Sequence, residues 1–436
     1  MLKNTFCSSP WFHLRKTYDG TYEACRWANK QTNEFKGNAE SMMQFYNGDQ
    51  MRQLRQDLLS GKKPSTCEMC YYQGEHHKLS GREKQLLKSG VTTDDFERSM
   101  LASSHFEHFR YSQDNQGLAN YYPVDLQIDL GNVCNSACIM CLPFASSRLE
   151  TEYPKLTKQA PDLFPIHFPK PQWTNDPAHV EKFCTELASI PGIKYIHLLG
   201  GETLVNPSFY SLCDALIKTG ASKEMIIGTT TNGTIYDRRL ESIISEFKQV
   251  HIGFSIESIT TLNDYVRWPS KINRILENLH KFVDLRKKVP GLTVLARLTP
   301  NIFTIHELDL LLDYLFDLGI TAESCNILYT PASLRMENMP DDIRVETIDR
   351  LQSLVDRRQL SKSAATNHRC AGLEYTALSN ITIEYLEFVK GFHAPDDVEN
   401  QRKDLVRFLK AFETQHRNSI LDHAPRYTEF LRTYGY

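Results

Sequence analysis

Three cysteines, Cys134, Cys138 and Cys141, stand in a C-x3-C-x2-C spacing within Ile128 to Pro143, directly after a short alternating run, Val124 to Asp129, that reads as a strand. Three thiolates on one tight loop can ligate three irons of a four-iron, four-sulfur cluster, because such clusters take cysteine ligands and a short spacing converges on one cubane. The fourth iron is then left open to an outside ligand. A zinc site usually shows two paired motifs with four ligands in total, and buried structural cysteines seldom come in threes.

This spacing, on a loop after a first strand, resembles the radical S-adenosylmethionine superfamily. The resemblance implies that the amino and carboxylate groups of the cofactor's methionine bind the open iron. It also implies that an electron from the cluster cleaves the sulfonium to a 5′-deoxyadenosyl radical, which abstracts hydrogen from a substrate carbon. One departure is visible: the residue before the last cysteine, often aromatic in that superfamily, is Met140. Methionine is apolar and adaptable enough to cover the adenine side of the cofactor.

The chain has 436 residues, enough for two or three packed units. A hydrophobic content of 41% and a charged content of 24% belong to a globular protein with a real core. The net charge of -3 offers no basic excess for a nucleic-acid backbone. The amino terminus, MLKNTFCSSPWFHLRK, has no uninterrupted apolar run, so neither a signal peptide nor a membrane anchor is expected. No stretch elsewhere reaches the length of a spanning helix. The eleven cysteines are therefore read as cytoplasmic, reduced and metal-binding rather than disulfide-paired.

Residues 1–92 read as a small, loop-rich module carrying Cys7, Cys25, Cys67 and Cys70, the last two as C-x2-C. A turn at Asp19-Gly20 folds Tyr22 back toward Leu14 as a hairpin, which brings Cys25 toward Cys7. A helix is expected from about Gly48 to Leu59. With so little apolar sequence of its own, the module needs metal for part of its folding energy. The G-x4-C of Gly20 to Cys25 followed by the C-x2-C resembles the twitch domain, the shortened relative of the SPASM domain, here placed before the radical domain instead of after it. That resemblance implies a second, auxiliary [4Fe-4S] cluster; a four-cysteine zinc site is the alternative reading.

Residues 93–122 read as a helical linker. From Val124 the text alternates strand and helix. Strands are expected near Val124 to Asp129, Lys194 to Leu199, Met225 to Thr229, Val250 to Ile256, Leu292 to Arg297 and Ser324 to Tyr329. Helices are expected near Ala178 to Ser189, Pro207 to Thr219, Arg238 to Phe247, Ile272 to Leu285 and Ile305 to Leu318. Alternating elements of this kind imply an α/β fold with a parallel sheet and right-handed crossovers. The superfamily resemblance makes residues 123–339 a partial (β/α)6 barrel with its site at the carboxyl ends of the strands. The proline-rich segment from about Pro154 to Pro171 reads as an insertion near that mouth. Residues 340–436 form a helical C-terminal region with apolar stripes suited to core packing.

Motifs at the strand ends supply the remaining candidates. Gly200-Gly201-Glu202 follows the second strand, where glycines let a backbone approach closely; in the resembled superfamily this motif contacts the methionine amino group. Thr231 and Asn232, in the Thr230 to Gly233 run after the third strand, can hydrogen-bond a ribose. Ser255 and Glu257 end the fourth strand, where the superfamily often has an acidic residue near the ribose or substrate. Arg267 can bind a carboxylate, with Arg297 as a competitor. Cys184, Cys213 and His197 read as core. Cys325 and Cys370 are candidate hydrogen-atom donors, a role that some members of the superfamily require.

The reading is a radical S-adenosylmethionine enzyme with an N-terminal twitch-like module, reduced by flavodoxin or ferredoxin and acting on a peptide or protein. Two alternatives remain: action on a sugar or other small molecule, and a non-catalytic metal-binding scaffold or redox sensor.

Overall fold

Strand alternation divides the sequence between two faces of one sheet. The computed structural model describes all residues except 1, 27, 29–35, 38–39, 72–79, 363–366 and 371–372. Its strands are β1 (His13–Lys16), β2 (Tyr22–Glu23), β3 (Lys36–Gly37), β4 (Asp125–Asp129), β5 (Tyr195–Leu199), β6 (Ile226–Thr231), β7 (Gln249–Ser255) and β8 (Leu292–Arg297). They form an eight-stranded sheet in the order β3-β2-β1-β4-β5-β6-β7-β8. From β4 to β8 every pair is parallel and the order advances one strand at a time. Right-handed crossovers in such an order put the connecting helices on one side.

That side is apolar. Leu126, Ile128, Ile196, Leu198, Ile227, Val250, Ile252, Phe254 and Val294 are all buried against the helices Pro177–Ser189, Pro207–Lys218, Arg238–Glu246, Ile272–Lys288 and Leu308–Leu318. The opposite face is polar. Register places Gln127 beside His197, His197 beside Gly228, and Gly228 beside His251, with Ser255 beside Arg297 further along. At Gly228 and Gly253 on this face an added side chain would force a neighbour to shift. A Cβ at Gly228 would lie 2.1 Å from the Tyr195 hydroxyl, and one at Gly253 would lie 2.5 Å from Arg297 Nε.

Three expectations are corrected. Ser324 to Tyr329 is not a strand: beyond β8, among the described residues, the sheet is extended by one bridge, between Ala296 and Ala322. At Asn326 the Tyr385 hydroxyl bonds both the backbone N–H and the carbonyl at 3.1 Å, and the Asn326 side chain donates to the Leu298 carbonyl. The sixth parallel strand comes instead from the N-terminal segment, where β1 pairs in parallel with β4, Leu14 opposite Leu126 and Lys16 opposite Ile128. The sheet therefore crosses from the first residues into the α/β region. Finally, the helix Ser147–Gln159 runs through Pro154, so the proline-rich insertion starts only after it.

The hairpin expected at Asp19-Gly20 forms, with Lys16 opposite Tyr22 and Gly20 at φ +85°. The helix expected after Gly48 spans Asp49–Leu59. It carries a fully buried arginine, Arg55, whose guanidinium donates to the carbonyls of Pro10, Tyr46 and Gly117 at 2.9 to 3.0 Å and lies over the Tyr46 ring. Buried charge is tolerated there because backbone dipoles occupy its donors. The C-terminal region holds the helices Asp341–Arg357, Leu378–Gly391 and Val398–His416, together with a hairpin of Asn367–Cys370 and Leu373–Thr376. No helix among the described residues is long and apolar enough to cross a membrane.

Candidate active site

The loop carrying Cys134, Cys138 and Cys141 leaves the carboxyl end of β4 and is held through its backbone and through the side chains of Asn132, Asn135 and Ser136. Ser147 Oγ accepts from the Cys134 N–H at 3.1 Å, and the Asn132 carbonyl accepts from the Ser147 N–H at 2.7 Å. Ser146 caps the next helix by accepting from the Leu149 N–H. The Ala137 and Ile139 N–H groups donate to the carbonyls of Trp268 and Val266 at 2.7 and 3.0 Å. Trp268 is in turn stacked on His416, which meets Glu152 at 2.8 Å.

The three thiols lie within electrostatic reach of one another. Burial pushes Cys134 and Cys141 up to about 12, and Cys138 is raised as well, first by burial, with Arg267 opposing. The Ser136 N–H points at Cys134 Sγ at 3.4 Å, and Arg267 Nη1 at Cys138 Sγ at 3.9 Å, so donors for sulfur anions are already in place. Among the described residues, no three His, Cys, Asp or Glu side chains close on a single metal ion. A cubane asks for something different, because it binds each cysteine at a separate iron.

Gly200 and Gly201 follow β5 and do what glycines at a close approach do. Their φ values are +113° and +56°, and a Cβ on either would lie 2.3 or 2.1 Å from the carbonyl oxygens of Gly131 and Val133. The close neighbour is thus the backbone at the start of the cysteine loop. Glu202 is 1% exposed, and its N–H donates to the Val133 carbonyl at 2.8 Å. Its carboxylate accepts from the Thr231 hydroxyl at 2.7 Å, the Leu204 N–H at 3.1 Å, and the Asn232 N–H. Burial raises its pKa while these hydrogen bonds oppose.

Asn232 passes the connection on. Its Nδ2 donates to Asn135 Oδ1 at 2.7 Å and to Ser136 Oγ at 3.1 Å, and Asn135 Nδ2 donates to Thr234 Oγ1 at 2.9 Å. The sequence-predicted Gly200, Gly201, Glu202, Thr231 and Asn232 are therefore brought together with the cysteine loop. In this structure they meet that loop's own polar groups. Asn135 and Ser136 were missed; the available signal was hydroxyl and amide residues interleaved with the cysteines in GNVCNSAC.

Glu257 and Arg267 form a buried ion pair, and the Glu257 carboxylate also accepts from the Thr299 N–H at 2.7 Å. Burial works against the Arg267 charge, but Glu257 and the Cys138 and Cys141 thiols outweigh it and hold its pKa above the ordinary value. Arg267 Nε is buried without a partner among the described residues, which suits a carboxylate brought by a ligand. Ser255 is half-buried at the end of β7. Arg297 is engaged elsewhere, with Glu323 at 3.0 Å and His197 Nε2 at 3.2 Å. His197 is held neutral by burial and by Arg297, in keeping with a core role.

Cys7, Cys25, Cys67 and Cys70 lie within electrostatic reach of one another, since Cys7 and Cys67 are each raised first by burial and then by cysteines of this set, although among the described residues no three of them close on a single metal ion. Cys7 precedes β1 and Cys25 follows the antiparallel β2, so both stand at the end of the sheet opposite the Cys134 loop. Cys184 and Cys213 are buried core residues. Cys325 is half-buried, with its thiol raised by burial and by Glu384. The Cys370 side chain lies outside the described residues.

The Radical SAM superfamily model matches residues 128–315. Among solved structures, the chain is similar to Streptococcus suis SuiB bound to S-adenosylmethionine, at 13% identity over 81% of this chain and 71% of that one, with a TM-score of 0.38. It is similar to SuiB bound to precursor peptide SuiA, at 13% identity over 81% and 70%, with a TM-score of 0.39. It is also similar to anSMEcpe with bound AdoMet and Cp18Cys peptide, at 14% identity over 61% and 80%, with a TM-score of 0.32. No curated protein matches the sequence.

Proposed function

We propose that this radical SAM enzyme, whose Radical SAM superfamily domain spans residues 128–315, abstracts hydrogen from a carbon of a peptide or protein substrate. The observation that supports the chemistry is the cysteine loop itself: three cysteines on one loop, which would leave one iron of a cubane open, with N–H donors already aimed at two of the sulfurs. Cys134, Cys138 and Cys141 would hold the cluster. Arg267 Nε and the strand ends around Gly201 and Ser255 would receive S-adenosylmethionine. When bound, that pair supplies a one-electron cleavage of the sulfonium and hence a carbon-centred oxidant.

The chain's own residues fix this geometry. Glu202 clamps the ends of β5 and β6, and Asn232 carries that clamp to the cysteine loop. Cys7, Cys25, Cys67 and Cys70 would hold a second cluster with no open iron, which suits electron transfer or structural support over substrate binding. The peptide assignment rests on the resemblance of the Gly20-to-Cys25 pattern and the later C-x2-C to twitch modules, which often accompany peptide modification. An external flavodoxin or ferredoxin would supply the electron.

The test is 5′-deoxyadenosine release from anaerobically reconstituted protein with dithionite and S-adenosylmethionine. Release is expected from wild type and a fall of at least about 100-fold from Cys138→Ala, because losing one of three ligands removes the site. Wild type that binds iron but releases none would overturn the catalytic reading in favour of a scaffold.

A further inference from the structure

Residues on both sides of Cys138 are hydrogen-bonded to residues on both sides of Arg267. The Ala137 N–H donates to the Trp268 carbonyl at 2.7 Å and the Ile139 N–H to the Val266 carbonyl at 3.0 Å. Cys138 and Arg267 therefore each lie between the two residues that make these backbone bonds, and the bonds restrain their separation. Arg267 Nη1 reaches Cys138 Sγ at 3.9 Å while Nη2 pairs with Glu257. Their side chains are 12% and 0% exposed, so little water screens any of these charges.

We infer that Arg267 is a positioning residue that raises the reduction potential of a cluster on Cys134, Cys138 and Cys141, and that Glu257 opposes it. A cluster gains negative charge on reduction. A guanidinium aimed at one ligand sulfur stabilises the reduced state more than the oxidised one, and a carboxylate behind it does the reverse. Arginine suits the place, since its planar fork offers one arm to the sulfur and another to the carboxylate. This inference rests on the reading that the three cysteines hold a cluster, and its test separates the two.

The experiment is an anaerobic redox titration of reconstituted full-length protein without S-adenosylmethionine, followed by electron paramagnetic resonance. The relevant signal is the one absent from a variant with Cys134, Cys138 and Cys141 all changed to Ala. Arg267→Gln is expected to move the midpoint to lower potential and Glu257→Gln to higher, with Arg267→Lys staying nearer wild type than Arg267→Gln. Opposite signs are something a purely structural pair would not give. Unchanged midpoints, shifts of the same sign, or loss of iron from Arg267→Lys as well as Arg267→Gln would overturn the inference. A wild type with no such signal would instead sink the cluster reading itself.

Discussion

Lys16 shows how one side chain on the wrong face of a strand is accommodated. It lies on the apolar side of β1, 3% exposed, with its ammonium 4.5 Å from the Tyr22 ring centroid, 4.9 Å from that of Trp173 and 5.0 Å from that of Phe183. Aromatic faces and the Gly20 carbonyl replace water, but incompletely, so burial brings its pKa down to about 8, with Glu186 and Asp19 opposing. The unfolded chain keeps the ordinary value of 10.5. Below pH 8 the cost of charging the buried amine is constant. Between pH 8 and 10.5 the unfolded chain holds a proton that the folded chain has released, so this group makes stability rise with pH. Lys16→Met keeps contact with the rings and removes the charge. It is expected to stabilise the protein by about 1 to 3 kcal/mol at pH 7. It should also flatten the rise in stability expected for the wild type between pH 8 and 10, read by urea denaturation; an unchanged slope would place the pH dependence on other groups.

Among the elements, the loops after β4, β5 and β6 act as one unit. Gly201 lets the second loop lie on the first, Glu202 joins the second to the third, and Asn232 returns the connection to the cysteine loop. Gly201→Ala would put a Cβ 2.1 Å from the Val133 carbonyl oxygen at a φ of +56°. The left-handed backbone alone costs about 1 kcal/mol, and the clash adds to it, for a total of at least about 2 kcal/mol. Because the displaced backbone belongs to the cysteine loop, the variant is expected to lose iron from the three-cysteine set while keeping the four-cysteine set. Iron and sulfide content per chain measures this. Full retention of iron would mean that the cysteine loop is fixed without its neighbour.

At the scale of the molecule, the first residues are part of the main sheet. β1 lies between β2 and β4, so it unfolds only with the sheet unless its two neighbours part. Backbone amides of β1 are therefore expected to exchange with solvent as slowly as those of β4 in hydrogen-exchange mass spectrometry. Much faster exchange across residues 13–16 would show a module that opens by itself. The same topology puts the four-cysteine set and the three-cysteine loop at opposite ends of strands about 16 Å long, β4 being five residues.

The local signals were sufficient where the physics was local. Alternation gave β4 to β8, helical spacing gave the crossovers, and cysteine spacing with the glycine pair gave the strand-end loops. Each depends on residues within a few positions of one another. What the sequence could not show was partnership at a distance. Nothing in His13 to Lys16 says that it will pair with β4 more than a hundred residues later, because a four-residue strand carries no label for its neighbour. Likewise, the composition of Ser324 to Tyr329 suits a strand, but the Asn326 backbone is hydrogen-bonded to the Tyr385 hydroxyl, a partner 59 residues away that no local pattern announces. The identities of Glu257 and Arg267 were legible as polar residues near a strand end. That they pair with each other, and that Arg267 lies beside Cys138, was decided by tertiary structure, because the two hydrogen bonds joining residues 137–139 to 266–268 link the loop after β4 to the segment after β7, across a sheet in which β5 and β6 lie between those strands.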